Sequence, residues 1–472
     1  MRSPKAEART PDRRLDGCLV EKVEAVPNHD RVAHLCLAAI TILLVCPAAA
    51  SGCTSLGPAR EPQKITFVYT YPGPPDPYAA HYQAWVEAFE EQHPLIVVEL
   101  APWNEAYYGS EVTDRGDVFL LPDTSIDALN LIERDLIISL SPYVDGDPNL
   151  DSGDFYPGVM ASLGANGETW AVPAAVDPTV LFYNKDLFDL VGRPYPEAGW
   201  TWDEFLVAAQ ALRDPDNGVY GYVPTDAARD AALLIYQHGG RLIDDFANPT
   251  QATLDEPLNI EALDWYALLS HEDAYDVAPT SEQVFRDFRR PESRPSDAIF
   301  YPSRTAEWRN YGGIQSGQAA MWIGELSQRK WLHNSTDGVL RWGVAPLPLG
   351  SQPAVLARVW GYLIASNTSH PDACWTWISF LSKQAPPESA LIPARRSVAT
   401  ALHEASGDEV YATGQEALLG LVSLSAITWS QVPRASAEFD RAVQSVVGHS
   451  MHALEALTEA QLRLSAYSHD QE

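Results

Sequence analysis

Residues 117–121 read DVFLL: one carboxylate, then four apolar residues with nothing polar between them. So short and unbroken an apolar run predicts a strand buried on both faces, as in parallel sheets. Upstream, Ile65 to Tyr69 (ITFVY) predicts a first strand, broken by the turn cluster Tyr71-Pro72-Gly73-Pro74-Pro75. Tyr82, Trp85, Val86 and Phe89 then recur at i, i+3, i+4 and i+7, one face of a helix that His93-Pro94 stops. Leu95 to Leu100, rich in Val, predicts a second strand, and Ile126 to Ile132 a helix after DVFLL. Strand and helix alternate, which predicts an α/β fold with ligand loops at the carboxyl ends of the strands.

The same grammar continues. Thr179 to Tyr183 reads as a strand, and Thr201-Trp202-Asp203-Glu204 opens a helix with a capping-box pattern that runs through Phe205, Ala208 and Leu212. Residues 257–270 and 371–383 read as further helices. Residues 399–472 read as mainly helical, with Ala442, Val443, Val446 and Val447 on one stripe. Residues 284–312, rich in Arg and Pro, show no period; a solvated loop is the plain reading and a lid at a cleft edge the sharper one.

The amino-terminal part belongs to a different class. A charged leader ends at Arg31, an uncharged apolar stretch runs from Val32 to Val45, and Ala50-Ser51-Gly52 precedes Cys53. This pattern predicts a secretory signal, too short in its apolar part to span a membrane. Both signs of charge before Arg31 leave two readings, a long n-region or a translation start downstream of Met1. The small-small-Cys ending resembles a bacterial lipobox, which implies lipid on Cys53; the alternative is an ordinary cleaved signal with a free thiol there. Residues 1–52 are thus the leader and signal, and residues 53–63, with Gly57, Pro58 and Pro62, a tether.

Cutting before Cys53 leaves 32 less 7 basic and 63 less 6 acidic residues, a net charge of −32. So negative a chain is a poor partner for nucleic acid or an anionic membrane surface. Roughly 420 residues exceed one ordinary core and predict two lobes. Cys18, Cys36 and Cys46 fall in the leader, so lipid on Cys53 leaves Cys374 alone, in a helical pattern that predicts core packing.

Several segments together resemble the family 1 extracellular solute-binding proteins, the sugar-binding components of ABC importers. GETWAVPAAVDPTVLFYNKDLF (Gly167–Phe188) carries the strongest likeness. TWDEFLVAAQAL (Thr201–Leu212), SGQAAMWIGE (Ser316–Glu325) with WGVAPLP (Trp342–Pro348), WGYLIASNTSHPDACWTWISFL (Trp360–Leu381) and LIPARRSV (Leu391–Val398) follow in family order. The resemblance implies a two-lobed periplasmic-binding-protein-like fold with three inter-lobe crossings, near 175–177, 359–362 and 392–395. Lobe 1 would be 64–175 plus 362–393, and lobe 2 would be 176–361 plus 394–472. The chain departs from the family in a short Trp103–Gly116 segment, in a long 284–312 excursion, and in Leu326, where many sugar binders place a Trp.

Carbohydrates present C–H faces and hydroxyls, so aromatic planes and planar polar groups are the residues to seek. Trp360 and Gly361 sit at the second implied crossing, facing the cleft. Tyr71 stands beyond the first strand, where family members place ligand contacts; Tyr69 reads as either a contact or core. Asp123 follows the DVFLLP strand, Asp177 matches an acidic position that touches sugar in some relatives, and Glu325 ends the MWIG strand. For each carboxylate the plain alternative is a solvated loop charge. Arg395 reads as a ligand donor or, better, a structural bridge. Trp202, Trp265, Trp375 and Trp377 lie in helical patterns and read as packing.

No enzyme signature occurs: Gly448-His449-Ser450 only approaches a nucleophile elbow, and His449 with His452 reads as surface rather than metal ligands. No cofactor or metal is expected. The leading expectation is a lipid-anchored, exported binding protein on the outer face of the cytoplasmic membrane, delivering a mono- or oligosaccharide to ABC permease subunits. A cationic or other non-sugar solute on the same fold, and a tethered glycoside hydrolase with paired carboxylates, are the alternatives.

Overall fold

A computed structural model describes residues 61–71, 75–104, 112–128, 130–246, 248–271, 312–335, 340–388, 390–422, 430–448 and 450–469. Strands β1 (Gln63–Tyr71), β2 (Ile96–Asn104) and β3 (Val118–Pro122) form a parallel group with β1 in the middle. Helix α1 (Ala79–Gln92) is the crossover from β1 to β2, and it buries Tyr82, Val86 and Phe89 of the predicted stripe, with Trp85 half-buried beside them. The DVFLL run is strand β3, buried on both faces except at Leu120. Helix α2 (Asp123–Ala128) begins directly after the strand's last residue, earlier than the expected 126–132. Asn130 adopts φ 50°, a left-handed conformation incompatible with a continuing helix.

After helix α3 (Ser141–Gly146) and the small hairpin β4 (Gly164–Ala165) and β5 (Glu168–Thr169) comes the longest strand, β6 (Val172–Asn184). All thirteen of its residues are buried. The sequence predicts only 179–183 as strand because Pro173, Asp177 and Pro178 interrupt the apolar run. The prolines are tolerated at special positions. Pro173 adjoins a bulge, where Pro173 faces Gly361 and Ala175 faces Trp360, leaving Ala174 as the extra residue. Pro178 lies where β6 changes partners, so its missing N–H costs no ladder bond, while its carbonyl accepts from Leu326 N–H at 2.9 Å.

Helices α4 (Lys185–Val191), α5 (Trp202–Leu212), α6 (Ala227–His238) and α7 (Pro257–His271) follow, with the Thr201/Glu204 capping box formed in both directions. Strand β7 (Met321–Glu325), helix α8 (Gln328–Ser335) and strand β8 (Trp342–Ala345) lead to β9 (Ala357–Ile364), α9 (Pro371–Leu381) and β10 (Ile392–Pro393). The first half of β6 pairs antiparallel with β9 and β10, and its second half with β7 and β8. Strand β9 also pairs with β3, which joins the parallel group to β6 in one sheet. The three segments read as crossings lie side by side: Val176 is opposite both Val359 and Ile392.

Helices α10 (Arg396–Ser406), α11 (Glu409–Ala417), α12 (Ala435–Val447) and α13 (Ala453–His469) complete the chain. Ala442, Val443, Val446 and Val447 of α12 are buried, and α12 packs on α6, α7 and α13. Trp377 is fully buried among Phe67, Phe89 and Phe380, and Trp202 and Trp375 are also core. Cys374 is buried beside Thr368, and burial pushes its thiol up to about 12. No helix among the described residues is long and apolar enough to cross a membrane.

Gly361 is where β9 comes closest to its neighbours, since a Cβ there would lie 2.7 Å from both Ala171 Cβ and Leu163 Cδ1. Gly361→Val should therefore overpack the sheet and cost on the order of 1–3 kcal/mol of stability. Thermal unfolding checks this, and an unchanged midpoint would contradict so close an approach.

Candidate functional site

A cavity of about 640 Å³ opens where the carboxyl end of β1 meets β6 and β9. Ala174 and Ala175, the bulge residues of β6, and Trp360 of β9 form its floor. The bulge matters here because two small side chains line the cavity opposite one indole. Thr70 and Tyr71 at the end of β1, with Tyr78 and Tyr82 around the start of α1, make one wall. Ser327, Lys330 and Trp331, around the start of α8, line the cavity as well, as do Pro386 to Glu388.

The walls are tied by charge. The Lys330 ammonium sits 2.9 Å from Glu388, which also accepts from the Tyr78 hydroxyl and, at 3.1 Å, from Ala390 N–H. Burial alone would raise the Glu388 carboxyl, but these three donors hold it below the usual range. On the floor, the Arg358 guanidinium lies 5.8 Å from the Trp360 ring centroid and 3.5 Å from Glu325. Glu325 is held more closely by Arg229, at 3.0 Å, and Arg229 in turn pairs with buried Asp230 at 3.0 Å.

Of the residues singled out in the sequence, Tyr71 and Trp360 line the cavity together. Tyr71 is the last residue of β1 rather than part of the turn beyond it, because its pairing with Asn104 of β2 prolongs the strand. Tyr69, two residues back, is core, with its hydroxyl donating to Asp76 at 2.6 Å. Asp123 opens α2 and is buried away from the lining. Asp177 is fully buried and accepts from Ser327 N–H at 2.9 Å, which holds the start of α8 against β6. Glu325 anchors arginines, and Gly361 backs onto Ala171 and Leu163; neither lines the cavity. Arg395 is buried, 4.5 Å from the Phe155 ring centroid and paired with Asp154 at 3.3 Å, as its structural reading requires. Cys53, His449 and residues 284–311 lie outside the described residues.

The sequence reading missed Tyr78, Lys330, Trp331, Arg358 and Glu388. Trp331 had a usable signal. It follows Leu326 by five residues and falls in the first turn after a strand end that faces the cleft. Glu388 had none, because a carboxylate after a proline pair reads as solvated loop.

Burial, then the neighbouring charge of Glu325, pushes the Asp177 carboxyl up to about 7, and burial lifts Asp230 to about 7 as well. Unfolded, such groups lose their proton near pH 3.9. Between about pH 4 and pH 7 the folded chain binds more protons than the unfolded one, so these groups make stability fall as pH rises through that window. Asp177→Asn removes its share. The variant's melting temperature should decline less than the wild type's between about pH 5 and pH 8; equal declines would place the Asp177 pKa in the ordinary range.

Residues 74–385 match the family described as bacterial extracellular solute-binding protein. An arabinooligosaccharide-binding protein of Halalkalibacterium halodurans is 23% identical over 219 residues, 46% of this chain and 44% of that protein. A mannitol-binding protein of Pseudomonas aeruginosa is 35% identical over 310 residues, 63% of this chain and 65% of that protein. The chain thus spans less than two thirds of the length of either relative. Among solved structures, the cyclic alpha-maltosyl-1,6-maltose binding protein of Arthrobacter globiformis superposes with a TM-score of 0.64 at 17% identity, covering 86% of this chain and 98% of that one. The fold is the two-lobed α/β fold of periplasmic binding proteins, and the chain belongs to the bacterial extracellular solute-binding protein family.

Proposed function

We propose that the protein captures a carbohydrate between two lobes, residues 64–175 plus 362–393 and residues 176–361 plus 394–472, and hands it to the permease of an ABC importer. The observation that carries this reading is the aromatic cavity and where its walls originate. Tyr71 and Tyr78 come from the first of these lobes, and Trp331 and Trp360 from the second. Aromatic side chains drawn from both lobes suit the C–H surfaces of a sugar ring, and a ligand touching both lobes stabilises the closed arrangement. The names of the two curated relatives, an arabinooligosaccharide-binding and a mannitol-binding protein, point the same way.

The alternatives draw less support from the cavity. A cationic solute needs available carboxylates, and Glu388, the carboxylate among the described lining residues, is already held by Lys330. Hydrolysis of a glycosidic bond needs two carboxyl groups roughly 5–9.5 Å apart across the bond. Asp123, Asp177 and Glu325 do not line the cavity to supply the second. Binding by stacking and hydrogen bonds, without covalent chemistry, is the function this arrangement suits.

Trp360→Ala should weaken saccharide binding by about 1–3 kcal/mol, through lost stacking and apolar contact. Calorimetric titration of a sugar panel against wild type and variant checks this; equal affinities would remove Trp360 from the site. The placement we propose is extracytoplasmic, with the chain held at the membrane by lipid on Cys53. Metabolic labelling in a lipoprotein-processing bacterium should give a fatty-acylated wild type and an unlabelled Cys53→Ala variant. An unlabelled wild type would contradict the anchor.

A further inference from the structure

The neutral polar side chains of the cavity are hydroxyls, Thr70, Tyr71, Tyr78, Tyr82 and Ser327, which donate and accept; its cations are Lys330 and Arg358. Among the described residues its lining holds no Asp, Asn or Gln. The carboxylate among those described lining residues, Glu388, already accepts from Tyr78, Lys330 and the Ala390 N–H. A neutral sugar hydroxyl donates as well as accepts, so a site shaped for neutral sugars offers both kinds of partner. Lys330 is answered by Glu388, which leaves Arg358 as the cation to account for.

Arg358 is the unbalanced group. Its side chain is 44% exposed, and its nearest anion is Glu325 at 3.5 Å, beyond good hydrogen-bonding distance. Glu325 is itself bonded by Arg229 and Gln328, both at 3.0 Å. The guanidinium therefore keeps its fork of N–H donors, beside the Trp360 indole. A sugar ring lying on that indole brings its edge substituents to the fork. This local cation persists in a chain of net charge −31, where the general field disfavours anions.

Building on the carbohydrate reading, we propose that the site selects saccharides bearing a carboxylate, uronic acid residues, and that Arg358 is the residue that sets this specificity. The planar carboxylate accepts two parallel N–H···O bonds from the guanidinium, the geometry in which arginine exceeds lysine. A hydroxymethyl group in the same place leaves the charge unanswered, and sites built for one polar group reject analogues that lack it.

The test is calorimetric titration of the full chain in detergent with digalacturonate and with neutral galactobiose. Wild type should bind the uronate at least about tenfold more tightly. Arg358→Gln should shrink that preference to within about threefold, and Arg358→Lys should leave an intermediate one. Circular dichroism checks that each variant folds, and the lysine variant carries the test if the glutamine variant does not. Wild type binding the neutral disaccharide as tightly as the uronate overturns the selectivity and leaves the carbohydrate reading standing. A full preference retained in both variants overturns the role of Arg358. Binding of neither saccharide, nor of any other in a broad panel, overturns the carbohydrate reading and this proposal with it.

Discussion

One strand with two sets of neighbours governs this molecule. β6 is buried at all thirteen positions, so every backbone group along it must find a partner within the protein. Its first half finds β9 and β10; its second half finds β7 and β8. The change of partner falls at Pro178, the residue with no N–H to leave unpaired. Because β9 continues from β6 to β3, the parallel group and the later strands share one hydrogen-bonded frame. The cavity lies on that frame, floored by the β6 bulge and by Trp360.

The electrostatics follow from the same constraint. Asp177 lies on β6 just before the change of partner, and its carboxylate receives the Ser327 N–H at the start of α8. Glu325 ends β7 close by and gathers Arg229 and Arg358. Asp177 acts behind the cavity, holding the start of α8 where Lys330 and Trp331 line it, while Glu325 lies within a loose 3.5 Å of Arg358. A buried carboxylate at a strand junction is costly unless bonded, and the raised Asp177 pKa reflects that cost.

Much of the fold was legible in the sequence because its signals were local. The period of α1, the Thr201/Glu204 box and the DVFLL run each encode their own structure. The first half of β6 was not, since Pro173 and Pro178 mark a break in any local reading, and only the partner strands show why they are allowed. At the site, Tyr71 was legible as an aromatic at the end of the first strand, though read as lying beyond it, and Trp360 as an aromatic at an implied crossing. Asp123, Asp177 and Glu325 show the limit of such reasoning: none is among the described lining residues, Asp123 and Asp177 being buried and Glu325 bonded to arginines. Lys330 and Glu388 are 58 residues apart in the chain, and nothing local announces their pairing.

The account rests on a ligand held at once by β1, α1, α8, β9 and the 386–391 segment. Hydrogen–deuterium exchange of the full chain with and without a bound saccharide tests that directly. Protection should rise together in peptides covering residues 70–82, 327–331, 357–360 and 386–391, with the core of β6 already slow in both states. Protection confined to one of these segments, or appearing only elsewhere, would contradict capture in this cavity.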